Sequence, residues 1–236
     1  MDSVRRSLQS ATSIAVLTGA GISAESGIPV FRGRGGLWRD YRPEDLATPA
    51  AFACDPKLVW EWYDWRRGII AQAQPNAGHQ ALAELERRTG NFTLITQNVD
   101  GLHDRAGSRN KLKVHGDIWN VRCSKCGRER TDLRPSIPSL PPHCACGAIE
   151  RPGVVWFGEP LPHDVWLRAE DAARKAKVFL VVGTSAVVYP AAGLAALAKS
   201  SGAQVIEVNI DETPISMLVD ESIRGSAAEI LPQLIS

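Results

Sequence analysis

Ile14-Ala15-Val16-Leu17-Thr18-Gly19-Ala20-Gly21-Ile22-Ser23 is an apolar run that breaks into glycines, and its reading decides the fold. Uninterrupted apolar character over a short run is what a strand covered on both faces requires. A Gly-x-Gly that closes such a strand lets backbone N–H groups approach an anion without Cβ interference, which predicts a pyrophosphate cradle. The plainer alternative is a tight glycine turn between strand and helix. Gly19 to Ala24 fits G-x-G-x-x-A, yet no acidic residue closes a second strand about 20 residues on. Asp40 lies among Trp38, Arg39 and Tyr41 instead.

Working outward, further strand patterns at 91–96, 111–115, 178–182 and 205–208, with a last strand near Ile223, alternate with helical patterns. The helices fall at 2–10, 43–74, 76–89, 164–175, about 190–199 and from Ala227. Alternation of this kind predicts an α/β fold: a parallel sheet with helices on both faces. Several of these strands end in small or polar residues, namely Gln97-Asn98-Val99-Asp100, His115, Gly183-Thr184-Ser185 and Asn209-Ile210-Asp211. Ligands bind beyond the carboxyl ends of such strands.

With 236 residues and 44% hydrophobic content the chain can bury a core in one sizeable domain plus a small insertion. No run of about 18 apolar residues exists, so no membrane span is expected. The charged start, Met1-Asp2-Ser3-Val4-Arg5-Arg6, lacks the apolar middle of a secretory signal, and a cytoplasmic protein follows as the expectation. A net charge of +1 with interspersed signs offers no footprint for nucleic acid.

Four of the five cysteines lie between 123 and 146. Cys123-x-x-Cys126 and Cys144-x-Cys146 supply thiolates for one closed tetrahedral zinc, structural because no coordination position stays open. His143 is adjacent and could substitute as the fourth ligand. Cys54 stands apart and is read as an inert core residue. The segment 120–151 has little apolar periodicity and needs such a staple.

In the helix from about 56 to 73, Leu58, Trp62, Trp65 and Ile69 recur at helical spacing and predict the core stripe. Val59, Tyr63, Arg66 and Ile70 repeat it one residue round, placing Tyr63 beside Arg66 on an otherwise apolar face. A half-buried guanidinium there needs an anion, either within the chain, at Glu25 or Asp64, or from a ligand. His115, at a strand end, is either a satisfied structural histidine or a general base.

Taken together, the glycine loop, Thr96-Gln97-Asn98-Val99-Asp100-Gly101-Leu102-His103, His115-Gly116 and the four cysteines resemble the sirtuins, NAD-dependent protein lysine deacylases, from about Ile14 to Pro232. Phe31-Arg32-Gly33 with Gly36-Leu37-Trp38, and the pair Tyr63 and Arg66, resemble the class that removes succinyl and malonyl groups. The resemblance implies a Rossmann-like domain (1–32, 91–119 and 152–236), a helical insertion and cofactor loop (33–90) and a zinc-binding module (120–151). It implies acylated-lysine proteins or peptides as partners and a reaction that releases nicotinamide and O-acyl-ADP-ribose; the sequence leaves the oligomeric state open, with a monomer favoured.

By motif, the resemblance makes His115 the catalytic base, with Asn98 and Asp100 beside it. Gly19, Ala20, Gly21, Phe31, Arg32 and Trp38 hold the phosphates and cover the nicotinamide ribose; Gln97, Asn98 and Asp100 bind the ribose and nicotinamide. Gly183, Thr184 and Ser185 meet the pyrophosphate, Asn209, Ile210 and Asp211 the adenosine ribose, and Ala227 the adenine. Val154, Trp156, Phe157 and Gly158 form an edge for substrate backbone, and Tyr63 and Arg66 take the acyl carboxylate in room left by Ala47. Val30 departs from the aspartate that many deacetylating members carry, although acetyl groups remain within the expected range. The competing expectations are a protein ADP-ribosyltransferase with the same NAD pocket, a non-catalytic zinc-stabilised binding module, and a hydride-transfer oxidoreductase.

Overall fold

The computed structural model describes residues 1–31, 36–37 and 40–235. Six parallel strands form the main sheet: β1 (Ile14–Thr18), β2 (Phe92–Thr96), β3 (Lys111–Lys113), β7 (Val178–Val182), β8 (Gln204–Asn209) and β9 (Glu221–Arg224). They lie in the order β3-β2-β1-β7-β8-β9. Counted along the chain within this sheet, that is the order 3-2-1-4-5-6 of doubly wound dinucleotide folds, whose crevice opens where the order reverses. Here the reversal falls between β1 and β7, which pair in register from Ile14 with Val178 to Thr18 with Val182.

Every residue of β1 and of β7 is buried, because alternate side chains enter two different cores. Ile14, Val16, Leu180 and Val182 pack with Leu82 and Leu85 of α5 (Ala77–Arg88) and Leu231 and Leu234 of α9 (Ala227–Ile235). Ala15, Leu17, Phe179 and Val181 pack with Ala169 and Ala173 of α7 (His163–Lys175) and Leu194 and Ala195 of α8 (Gly193–Ser200). The expected parallel sheet with helices on both faces is therefore what the chain forms.

A second layer stands over the carboxyl edge of the sheet. The predicted helical stretch 43–74 is three helices, α2 (Pro43–Leu46), α3 (Pro49–Cys54) and α4 (Pro56–Gln72), each opening on a proline. Thr48 and Asp55 cap α3 and α4 by accepting from the Ala51 and Leu58 amides. Beside them lies an antiparallel sheet of β4 (Gly116–Cys123), β5 (Glu129–Thr131) and β6 (Glu150–Val154), ordered β5-β4-β6. This sheet, which the sequence pattern did not announce, extends past both edges of the 120–151 segment.

Two expectations need correction here. On α4 the core stripe is Val59, Tyr63, Arg66 and Ile70; of the expected stripe Trp62 is buried and Ile69 half-buried, whereas Leu58 and Trp65 are 46% and 43% exposed. Hydrophobicity alone ranks the stripes the wrong way round, because the buried one carries a tyrosine and an arginine whose surroundings come from elsewhere in the chain. Cys54, expected in the core, is exposed at the end of α3.

What fastens α4 to the antiparallel sheet is polar. The Arg67 guanidinium, fully buried, donates to the Arg134 carbonyl at 2.9 and 3.1 Å and to the Ile118 carbonyl at 3.3 Å, and also reaches the Asp132 carbonyl. The Trp60 indole donates to the Glu150 carbonyl at 2.7 Å. Replacing Arg67 with Met leaves those carbonyls without their donor in a site closed to water. We expect a loss of about 3 kcal/mol in urea unfolding; a loss below about 0.5 kcal/mol would show that the guanidinium does not hold the layers together.

Candidate active site

A cavity of about 1090 Å³ opens between the two layers at the carboxyl edge of the main sheet. Its size is at the upper end of ligand pockets, room for a large cofactor and an extended side chain together. The floor is the reversal point itself. The Gly21 amide donates to the Gly183 carbonyl at 2.7 Å and the Gly19 amide to the Val182 carbonyl at 3.0 Å. A Cβ on Gly21 would fall 2.8 Å from the Gly183 Cα, and Gly183 has φ +57° with a built Cβ 2.5 Å from the Ile22 nitrogen. These glycines are thus needed for the loops to touch each other. The N–H groups of Gly19 and Gly21, expected to face an anion, are bonded within the chain; what the cavity receives is the surface their closeness creates.

The sequence-predicted residues converge on this cavity. Gly19, Ala20, Gly21 and Phe31 come from the loop after β1, Gln97 and Asn98 from the end of β2, and His115 from the end of β3. Gly183, Thr184 and Ser185 follow β7, Asn209, Ile210 and Asp211 close β8, and Ala227 begins α9. Tyr63 and Arg66 descend from α4, and Val154, Trp156, Phe157 and Gly158 continue β6. Asp100 is not on the wall. It stands behind it, accepting from the Ser23 hydroxyl at 2.8 Å and the Leu102 amide at 2.8 Å. Arg32 and Trp38 lie outside the described residues.

The polar members hold the loops in place. Asn98 donates to the Gly19 carbonyl at 3.0 Å and to the Ser23 hydroxyl at 3.2 Å. Gln97 donates to the Thr184 hydroxyl at 2.9 Å, and Asn209 to the Thr184 carbonyl at 2.8 Å. His115 Nδ1 sits 3.1 Å from the Gln97 carbonyl. A carbonyl only accepts, so Nδ1 carries the proton and Nε2 is the basic nitrogen. Burial pushes the His115 imidazole below the ordinary histidine value, the Gln97 carbonyl partly opposing it, which keeps the ring neutral at pH 7.

Sequence reasoning missed Ser23 and His79. Ser23 bridges Asn98 to Asp100, and His79 Nε2 lies 3.4 Å from its hydroxyl. Asn76 and His79 form a reciprocal cap at the start of α5, although no Glu or Gln marks a capping box in the sequence. Burial pushes His79 down to about 4.

At the other end, Tyr63 and Arg66 are 3% and 6% exposed. The guanidinium lies over the Phe31 ring at 4.6 Å and the Trp62 ring at 5.0 Å. Among the described residues it has no hydrogen bond and no salt bridge. Neither expected internal partner reaches it: Glu25 accepts from the Ala228 amide, and Asp64 from Ser136 and the Ile137 amide. Tyr63 Oη accepts from the Trp156 indole at 3.0 Å, and burial pushes its phenol up to about 12, against the opposing charge of Arg66. The buried wall opposite α4 is completed by Ala47, whose carbonyl accepts from the Phe157 amide at 2.9 Å.

Away from the cavity, the four thiols of Cys123, Cys126, Cys144 and Cys146 lie within 4.8 Å of one another. The Cys123–Cys146 and Cys126–Cys144 sulfur separations are 3.5 and 3.8 Å. Tetrahedral zinc with thiolate bonds of about 2.3 Å sets sulfurs about 3.8 Å apart, so the set fits one zinc ion. The amides of Cys126 and Lys125 donate to Cys123 Sγ and lower its thiol pKa, favouring the thiolate a metal needs. His143 is exposed and outside this group, which resolves the fourth ligand in favour of cysteine.

Comparison with known proteins places these features in context. The Sir2 family profile matches residues 19–190. The NAD-dependent protein deacylase of Aquifex aeolicus is 59% identical over 216 residues, covering 91% of this chain and 90% of that protein. NAD-dependent protein deacylase 2 of Pyrobaculum aerophilum is 53% identical over 97% of this chain and 92% of its own length. Among solved structures, a Sir2 homologue in complex with NAD is 50% identical with a TM-score of 0.93, covering 100% of this chain and 92% of that one. A Sir2 complex with a p53 peptide and NAD+ is 32% identical with a TM-score of 0.90, covering 99% and 96%.

His79 generates a prediction about stability. Its folded-state pKa lies below the unfolded one, so between pH 6.5 and about 4 the unfolded chain binds the extra proton and stability falls as pH falls. Over that interval His79→Gln should lose about 3 kcal/mol less than the native chain in urea unfolding. Equal losses would mean that His79 protonates freely in the folded protein.

Proposed function

Because this chain belongs to the Sir2 family, we propose that it is an NAD-dependent protein-lysine deacylase whose cleft favours acyl groups ending in a carboxylate. The observation that carries the acyl preference is Arg66: a guanidinium buried on the cavity wall with aromatic faces around it, which feels the charge of Asp100 behind the wall but has no hydrogen-bonded or salt-bridged anion among the described residues. A malonyl or succinyl carboxylate supplies that anion through charge-assisted hydrogen bonds in a planar fork, and Tyr63 adds a neutral one. An acetyl group leaves the guanidinium unpaired, so acetyl-lysine is accepted as the poorer substrate.

Bound NAD supplies a ribose carbon that becomes electrophilic as nicotinamide departs. The chain supplies position and a base. Asn98, fixed by Gly19 and Ser23, and Gln97, fixed by Thr184, hold the polar side of the cleft without reorganising during the reaction. His115 Nε2 takes the proton of a ribose hydroxyl, since the Gln97 carbonyl commits Nδ1 to its own proton and burial keeps the ring neutral. Cys123, Cys126, Cys144 and Cys146 hold the zinc as a staple with no open position for chemistry.

The peptide lies along the continuation of β6. The N–H groups of Val155, Trp156 and Phe157 are already bonded, to the His115 carbonyl, the Glu159 carboxylate and the Ala47 carbonyl. A substrate backbone therefore meets other groups of this edge than those three donors.

The test is to incubate the protein with NAD and otherwise identical acetyl, malonyl and succinyl peptides and to weigh the products, which also separates deacylation from transfer of ADP-ribose to protein. Free lysine with nicotinamide and O-acyl-ADP-ribose is expected. The succinyl-to-acetyl ratio of kcat/KM should fall about 10- to 100-fold in Arg66→Met. An unchanged ratio would refute the carboxylate assignment while leaving deacylation standing.

A further inference from the structure

The Tyr63 hydroxyl is not free to point anywhere. An indole N–H can only donate, so at 3.0 Å the Trp156 Nε1 proton occupies a lone pair of Tyr63 Oη. The phenol proton must then leave in another direction, and among the described residues Tyr63 donates to nothing. Tyr63 lines the cavity, so the proton is kept for an acceptor that arrives there.

Trp156 is itself held from three sides. The Arg151 guanidinium lies over its ring at 3.5 Å. Arg151 forms a two-bond fork with Glu159, at 2.6 and 2.8 Å, and Glu159 Oε2 also accepts from the Trp156 amide at 2.9 Å. Phe52 of α3 tilts against the indole with ring centroids 5.2 Å apart. Trp156 is 3% exposed and Arg151 is 8% exposed, so this clasp works in a site where solvent competes little. Its two ends come from β6 and the turn after it, whereas Tyr63 comes from α4.

From this geometry we infer that Trp156 is a positioning residue for acyl selectivity: clamped by Arg151 and Glu159, it turns Tyr63 into a fixed donor towards a carboxylate that Arg66 neutralises. The inference rests on the acidic-acyl reading of Tyr63 and Arg66. It divides the work at that end of the cleft, with Arg66 supplying charge and Trp156 supplying the direction of the one neutral donor. The indole acts through Tyr63, so its influence falls on substrate binding more than on turnover.

The experiment is a cycle of Trp156→Phe, Tyr63→Phe and the double variant, with Arg66→Met alongside. Phenylalanine keeps a ring beneath Arg151 and removes only the donor, and thermal melts check that each variant folds. For Trp156→Phe the succinyl-to-acetyl ratio of kcat/KM should fall about fivefold, through KM for the succinyl peptide. In the Tyr63→Phe background the same change should have no further effect on the ratio. Independently of activity, the Trp156 indole N–H NMR resonance should move upfield in Tyr63→Phe. If Arg66→Met collapses the ratio while Trp156→Phe leaves it intact, or if the two aromatic changes simply add, the positioning role is overturned and the acidic-acyl reading survives. If Arg66→Met leaves the ratio unchanged, both fall.

Discussion

The contact on which the rest of the molecule depends is a backbone one, the approach of the loop after β1 to the loop after β7. Gly21 reaches the Gly183 carbonyl at 2.7 Å, and side chains at Gly19, Gly21 or Gly183 would meet backbone or Thr184 at less than 3 Å. Because adjacent parallel strands diverge into opposite faces at this point, their loops would otherwise leave a gap. Closing it gives the cleft a rigid floor. Gln97, Asn98 and Asn209 then fasten the neighbouring loops to that floor, and their side chains become both structure and wall.

The roof has a different logic. α4 has a modest apolar stripe and carries two adjacent arginines, both buried, with opposite fates. Arg67 is consumed by carbonyls of the antiparallel layer and secures the helix there. Arg66, one residue round, lies on the cleft wall between aromatic faces, with no hydrogen bond or salt bridge among the described residues. Burying a cation with no salt-bridge partner is expensive; Asp100 behind the wall offsets part of that cost, and Arg67 ties α4 to the antiparallel layer. Stability in the second layer is thereby spent on a site.

How much of this was legible in the sequence follows from where the partners lie. The strands β1 and β7 could be read directly, since runs of four and five consecutive apolar residues bounded by turn residues have few other uses. The Cys123 to Cys146 spacing gave the metal, because thiolate chemistry is local. The motif residues of the cleft were found through resemblance, and all but Asp100, Arg32 and Trp38 are seen on its wall. By contrast, the stripe of α4 misled: Trp65 and Leu58 are exposed, and nothing near Arg67 in sequence announces carbonyls at Ile118 and Arg134. The antiparallel sheet was illegible for a related reason, as β4 buries residues irregularly and shifts register between Gly116 and Val121. Ser23 left no local mark, its partners His79 and Asp100 lying more than 50 positions away, and His79 caps α5 without the Glu or Gln that marks a capping box.

The central claim is that one cleft brings a modified lysine to NAD and answers the far end of its acyl group with Arg66. A crystal structure of the protein with NAD and a succinyl-lysine peptide tests this most directly. The account predicts the succinyl carboxylate within salt-bridge distance of the Arg66 guanidinium and hydrogen-bonded to Tyr63 Oη. A carboxylate directed into solvent, with Arg66 still facing only Phe31 and Trp62, would contradict it.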